Sequence, residues 1–407
     1  MSYQIAVFQD LKTSYATWDA LQTYLTSPEG GNIRVVGEGR YRILRYVKGI
    51  SDLNTPHGKW MRSVIWDTES NVPVCVAPSK AEKGDIKTGE NVYYPIVQPF
   101  LDGTMVNVFV TKDDPTKLQI ATRTQLGAAG KFYSEKTFAQ MFEEALGAMN
   151  LTQQDLLQLL TLPAGPFVSS FASFVLQHPD HRVVTRVSSP RLWLVHTGSV
   201  NESGVVDMNE SSGNSRIDLP LYRAQGPMEP HFQSDKALAS FFDNACKTQG
   251  WFFQGLVFKD GKGNRWRMRN PNYLYLRSLR GSEATPMDRF LRLRSESKVT
   301  EYLKHYYEDR QIFWDLEQTL RAKTKEVFDG YCSVHKSHDK KLEDLPWSVR
   351  PCVFKLHAHY LEHLRPNNEK VLMKNAVELV NNLAVYEQKR LLTSATGLTS
   401  TTGQASA

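Results

Sequence analysis

The segment Pro99-Phe100-Leu101-Asp102-Gly103-Thr104-Met105-Val106-Asn107 reads as a tight turn feeding a strand. Asp102 supplies a local carboxylate cap and Gly103 a position without Cβ, the chemistry of a sharp reversal, and Met105 to Val110 continue as an apolar strand. Around it, from Ile33 to about Arg123, the pattern is period-two and β-branched. Ile33-Arg34-Val35-Val36, Tyr41 to Val47 and Val64-Ile65-Trp66 belong to it, which predicts a mainly antiparallel sheet region. Upstream, residues 1–30 predict a strand, Ile5 to Phe8, and an amphipathic helix. Ser14 is its expected cap, Trp18, Leu21, Tyr24 and Leu25 its apolar face, and Pro28-Glu29-Gly30-Gly31 its end. Downstream, 134–160 turn helical, with Phe138, Met141, Phe142, Ala145 and Leu146 at helical spacing. Strands return at Phe171 to Leu176, Arg182 to Thr185, Leu192 to His196 and Gly255 to Phe258.

From Pro286 the character changes. Segments 287–306, 310–329, 351–364 and 369–392 carry Leu, Tyr, Phe and Val at three- and four-residue intervals, which predicts an all-helical C-terminal domain. Residues 393–407 are Ser/Thr/Gly-rich without aromatic or charged residues and are expected to be disordered. The fold class is therefore α+β, with a strand-and-helix segment at 1–30, a sheet-rich domain at 31–285 and a helical domain at 286–392.

With 41% hydrophobic residues the 407-residue chain can bury a large core in two or three domains. It has no uncharged apolar run of about 18 residues and no apolar leader, which predicts an intracellular, cytoplasmic protein without a membrane partner. Cys75, Cys246, Cys332 and Cys352 are too sparse and scattered for a disulfide scaffold. A net charge of +6 permits an anionic partner without demanding one. Its distribution is more telling. Ten basic residues lie between Lys259 and Arg294, interleaved with Trp266, Tyr273 and Tyr275, a pattern that suits phosphate contacts with base stacking and equally suits a solvated strand and helix surface.

The 99–107 turn resembles the Lys-x-Asp-Gly signature of covalent nucleotidyltransferases, the DNA ligases, RNA ligases and capping enzymes. Further stretches resemble the bacteriophage-type, ATP-dependent RNA ligases in the family's order. Met61 to Asp67 is similar to the Arg-Gly-(apolar)-Phe-Asp strand that precedes the site, and Ala121-Thr122-Arg123-Thr124 to the Thr-(Arg/Lys) strand that follows. Ser173 to Val184 resembles Phe-Glu-(apolar) and then Pro-x-Asn-Arg-Ile-Val. Phe253 to Lys259 is similar to Glu-Gly-(apolar)-Val-(apolar)-Lys, and Arg267-Met268-Arg269 to the Lys-x-Lys strand. The resemblance covers about 35–280, and the helical stretch Leu356-His357-Ala358-His359-Tyr360-Leu361 resembles RNA-ligase-like proteins of large DNA viruses, whose location would be virion-associated. It implies a nucleotidyltransferase domain, ATP-grasp-like antiparallel sheets around a nucleotide cleft, ahead of the helices.

The resemblance also implies where the chemistry has gone. The family's nucleophilic lysine attacks the α-phosphate of ATP; here that position is Phe100, a ring with no lone pair to give, and the nearest lysines, Lys87 and Lys112, lie well to either side. Val175 stands where the family has a ribose-contacting Glu, and Gln254 where a Glu helps to position the metal. The three changes leave a pocket more positive by one charge. Asp102, Gly103, Thr104, Arg123, Lys259, Arg267 and Arg269 remain as the nucleotide- or phosphate-binding set, with arginine in place of the two lysines of the last motif. No catalytic residue, cofactor or metal is then expected.

The function expected is a catalytically degenerate RNA-ligase-like protein that binds RNA, other nucleic acid or phosphate groups, or is a structural component. Two alternatives stay open: an active ATP- and Mg-dependent RNA ligase with an atypical nucleophile, and an assembly subunit with a vestigial cleft that meets a protein partner through the helical domain. Cys332, His335, His338, Cys352, His357, His359 and His363 have ligand-like spacing for zinc, although His359 and His363 sit on an amphipathic helix beside Leu356, Tyr360 and Leu364, where packing roles are commoner.

Overall fold

The computed structural model describes residues 2–84, 96–210 and 235–393, and divides into two compact units, Met1–Arg277 and Ser278–Ala407. Lys87 and the chain beyond Thr393, for which disorder was expected, lie outside the described residues. The fold is mixed α+β, with antiparallel sheets and a helical C-terminal region. No described helix is long and apolar enough to cross a membrane.

The chain opens with β1 (Ser2–Ile5), α1 (Val7–Ser14) and α2 (Trp18–Thr26). This differs from the single strand and helix expected: Phe8 is helical, and Ser14 ends α1 instead of capping the next helix. Thr17 takes the cap, extended at φ −118°, ψ 152°, its hydroxyl accepting from the Ala20 amide. A four-stranded sheet follows from β2 (Arg34–Val36), β3 (Tyr41–Arg45), β4 (Val64–Asp67) and β5 (Val72–Val76).

Next come β6 (Glu82–Lys83), β7 (Ile96–Pro99), β8 (Thr104–Thr111) and β9 (Asp114–Thr122). The expected helical stretch 134–160 is two helices, α3 (Phe138–Ala148) and α4 (Gln153–Leu159). Each begins on a capping box, Thr137 with Gln140 and Thr152 with Asp155, and Asn150, at φ +55°, makes the break between them. The unit continues with β10 (Phe167–Gln177), β11 (Arg191–Asn201), β12 (Val206–Asn209), α5 (Asp235–Thr248), β13 (Gly255–Lys259), β14 (Arg265–Arg269) and α6 (Pro271–Arg280). The expected strand at Arg182 to Thr185 does not form, because the amides of Val184 and Thr185 donate to the Asp102 carboxylate rather than to a neighbouring strand.

One six-stranded sheet, β1-β12-β11-β10-β8-β9, organises the first unit. Its two faces are legible in β8 and β10: Phe109 and Phe171 enter the core shared with β2–β5, α1 and α2, while Val108, Val110, Ala172 and Phe174 enter the core under α3 and α4. Burying each such ring is worth roughly 1.5–3 kcal/mol, so both faces are pinned and a one-residue slip of β8 would empty them. The third sheet, β6-β14-β13-β7, packs Leu256, Phe258, Trp266 and Met268 against Leu238 and Phe242 of α5.

The second unit holds α7 (Pro286–Ser295), α8 (Val299–His305), α9 (Arg310–His335), α10 (Arg350–His359), α11 (Met373–Asn382) and α12 (Val385–Thr393). Phe313, Leu320, Val327 and Tyr331 give α9 its buried stripe. Asp309 is buried before α9 and accepts from Arg280, Arg289 and the Tyr302 hydroxyl.

Candidate functional site

β14 reads Arg265-Trp266-Arg267-Met268-Arg269, and the period of a strand divides it: with Trp266 and Met268 in the α5 core, the three arginines share the other face. On β13 the same period places Gly255, Val257 and Lys259 beside Arg269, Arg267 and Arg265. Gly255 is obligatory there, since an added Cβ would lie 2.0 Å from the Met268 carbonyl oxygen, at φ +140°.

The two ends of this face have different fates. At one end Lys259 is buried and donates to Glu210, whose other oxygen accepts from the Tyr3 hydroxyl at 3.0 Å. Burial pushes the Lys259 amine down and Glu210 draws it back; burial alone would raise Glu210, but Lys259, with His196 and Arg265, holds it at about 2. At the other end Arg269 opens onto a cavity of about 260 Å³.

Asp102 and Gly103 build the cavity's rim. The Asp102 carboxylate accepts from the Val184 amide at 2.9 Å, the Thr185 amide at 2.8 Å and the Tyr273 hydroxyl at 2.6 Å, and burial together with this carboxylate pushes the Tyr273 phenol up. Three donors occupy the group that the sequence marked as phosphate- or nucleotide-binding, so it clasps the turn to the 183–185 segment and to α6. Gly103 allows β10 to approach: an added Cβ would meet the Leu176 carbonyl oxygen at 2.5 Å.

Phe100, Val175 and Gln254, the three positions at which the resemblance implied lost chemistry, all line the cavity. The Arg269 guanidinium lies over the Phe100 ring, 4.8 Å from its centroid. Its Nε is buried without a hydrogen-bond partner, as is Gln254 Oε1. Arg62, Arg265 and Arg277 also line the cavity, giving four guanidiniums against one carboxylate, Asp102, which is already engaged. Burial pushes Arg62 down to about 10, with help from the like charges of Arg265, Arg123 and Arg267; Arg269 is pushed down by burial and then by Arg267 and Arg277. Among the described residues neither Arg62 nor Arg269 has a carboxylate partner. An orphaned buried donor costs about 1–3 kcal/mol, which a bound anion would recover.

Part of the lining is aromatic. Phe132, Tyr133 and the buried His181 line the cavity, with Arg277 donating to the Tyr133 hydroxyl at 3.1 Å and the Thr104 hydroxyl 2.8 Å from His181 Nε2.

Of the residues singled out in the sequence, Asp102, Gly103, Thr104 and Arg269 meet at the cavity. Arg123 stands behind it, donating to the carbonyl oxygens of Tyr46 and Arg62 and so holding the Arg62 backbone. Arg267 acts on the cavity through its charge, and Lys259 is closed on Glu210. Arg277 belonged to the basic run that suits phosphate contacts, whereas Arg62 and the Phe132–Tyr133 wall were not singled out. Arg62 lay inside a quoted motif; nothing in the sequence marked the 132–133 segment. From Arg280 onward the basic run closes on carboxylates, Arg280 and Arg289 on Asp309, Arg292 on Glu283 and Arg294 on Glu317. Of its interleaved aromatics Trp266 packs in the core, Tyr273 holds Asp102 and Tyr275 is exposed.

In the helical unit the His335 and His357 rings stack in parallel, 3.7 Å between centroids, and His359 and His363 lie 5.0 Å apart. The one described grouping with three potential metal ligands is elsewhere, Glu144, His178 and Asp180, where the Lys136 ammonium already sits 2.8 and 2.9 Å from the two carboxylates. In comparisons with protein-family models and with curated proteins, nothing matches this sequence.

Proposed function

We propose that the first unit is an RNA-ligase-like protein, degenerate in lacking the family's lysine nucleophile, whose cleft binds a phosphate group of RNA or another nucleic acid. The observation that carries this reading is the pair of cavity guanidiniums, Arg62 and Arg269, that make no ion pair among the described residues, one of them with an orphaned Nε. The aromatic wall of Phe132 and Tyr133 gives a base or sugar an apolar surface beside the charge. Phe100 occupies the place of the family's nucleophile, and no lysine stands among the described lining residues, so the ATP- and magnesium-dependent ligase reading has no amine to carry it there.

The test is binding of a 5′-phosphorylated RNA oligonucleotide, followed by fluorescence anisotropy at low and at physiological salt. Affinity is expected to fall with salt and to fall further in Arg62→Ala and Arg269→Ala. Affinity indifferent to both substitutions would overturn the reading. A second reading, assembly with a protein partner through the helical unit, draws on its exposed aromatics, Trp314 at 60%, Phe354 at 67% and Tyr386 at 73%. Light scattering of a Trp314→Ser, Phe354→Ser variant against the wild type tests it.

A further inference from the structure

Thr104 is the sole aliphatic hydroxyl among the described residues lining the cavity, and it does not stand alone. His181 Nδ1 lies 2.6 Å from the Phe132 carbonyl oxygen. A carbonyl oxygen can only accept, so Nδ1 carries the proton, Nε2 carries the lone pair, and the Thr104 hydroxyl donates to it across 2.8 Å. The imidazole is buried and fixed by aromatic contacts, Phe138 edge-on at 5.1 Å and Tyr133 stacked at 5.8 Å. A hydroxyl, a base within hydrogen-bond reach and a third group that sets the base's tautomer together form the arrangement that activates hydroxyl nucleophiles. A threonine serving only to satisfy a buried histidine would not need to face a cavity with four guanidiniums and one engaged carboxylate.

We propose that Thr104, with His181 as its base, accepts a phosphoryl or nucleotidyl group from a phosphoanhydride held by the cavity arginines. The inference rests on the anion-binding reading of the cleft and goes beyond it. In the step, the Thr104 Oγ attacks phosphorus as its proton passes to His181 Nε2. The new Oγ–P bond forms and the bridging P–O bond breaks, and the leaving group keeps the electron pair: pyrophosphate when the nucleotidyl group of a nucleoside triphosphate moves, the nucleoside diphosphate when its terminal phosphoryl group moves. An anhydride fits because its leaving group departs as an anion that guanidiniums stabilise, without a proton donor. The imidazolium that results is held by its existing bond to the Phe132 carbonyl.

The full chain is incubated with magnesium and ATP labelled at the α- or the γ-phosphorus, denatured, and mapped by mass spectrometry; ATP binding is measured in parallel by calorimetry. The expected result is label on Thr104 from one of the two positions, resistant to acidic hydroxylamine as a phosphate ester is and a lysine phosphoramidate is not. Thr104→Val should abolish it and Thr104→Ser retain it, with thermal melts showing both variants folded. Label that persists in Thr104→Val, or no label while ATP binds, overturns the inference alone. No ATP binding, with none to 5′-phosphorylated RNA, overturns the cleft reading along with it.

Discussion

The two units of this protein use arginine in opposite ways. In the helical unit Arg280, Arg289, Arg292 and Arg294 each close on a carboxylate, two of them on the single buried Asp309. In the cleft of the first unit Arg62 and Arg269 gather beside Arg265 and Arg277 around an aspartate that has already spent its oxygens on two amides and a phenol. Closed pairs hold a fold together; cations left facing a cavity are a cost that only an external anion offsets. Charge on a sequence does not tell these states apart, because the difference lies in which carboxylate the chain brings back.

Opening a closed pair should have the largest effect. Asp309→Ala leaves Arg280 and Arg289 buried without their counter-ion, and the expected loss is about 3–5 kcal/mol in chemical denaturation of the full chain. A loss below about 1 kcal/mol, the range of exposed pairs, would mean that the helical arginines are no more tied than those of the cleft.

Lys259 tests which class a residue belongs to. The sequence grouped it with Arg267 and Arg269 as a phosphate contact, whereas the structure closes it on Glu210, and the expected cost of Glu210→Gln is about 2–4 kcal/mol. The sign with pH follows from Glu210 being held at about 2, below its ordinary range. Its contribution is fully present above the ordinary carboxylate range and is lost as pH falls through that range toward 2. Unfolding measured from pH 6 down to 3 should therefore show a shallower acid loss in Glu210→Gln than in the wild type.

What was legible follows the same division. The strand pattern was readable wherever two apolar cores pinned alternate residues, as at Val108, Phe109 and Val110, and so was the turn at Asp102 and Gly103. The 182–185 segment was misread as a strand because its Val183-Val184 run is apolar, while its amides are claimed by a side chain 82 residues away in sequence. Helix breaks at Asn150 and Ser297 were missed because left-handed turns of one residue leave the apolar period almost intact. At the site, Phe100, Val175 and Gln254 could be placed together by resemblance, but no local pattern pairs Thr104 with His181 or closes Lys259 on Glu210, 49 residues before it.

Opening the cleft further should act on binding and not on stability. Arg269→Ala relieves the orphaned Nε and gives up the contact with the Phe100 ring, effects of opposite sign and each on the order of 1 kcal/mol, so denaturation is expected to shift by less than about 1 kcal/mol in either direction. The same substitution should weaken binding of a phosphorylated oligonucleotide by roughly tenfold or more, the scale of one charge-assisted hydrogen bond. A stability loss as large as that of Asp309→Ala would show that Arg269 belongs to the closed class.

The smallest effect expected is also the most discriminating, because it turns one class into the other. Gln254 lines the arginine cavity with an amide oxygen that is buried and unpartnered. Gln254→Glu keeps the shape and supplies a carboxylate such as the helical arginines have and Arg62 and Arg269 lack among the described residues. Internal neutralisation should raise stability by a few tenths to about 1 kcal/mol, because the desolvation of a buried charge cancels most of the attraction it gains. The same carboxylate competes with an incoming anion, so affinity for the phosphorylated oligonucleotide should fall several-fold, by roughly 1 kcal/mol. Stability and affinity moving in opposite directions would mean that the cleft's charge is kept open for a ligand; if both fell together, the glutamine would be serving the packing of the β13 edge, and the excess of arginine would have to be explained without a bound anion.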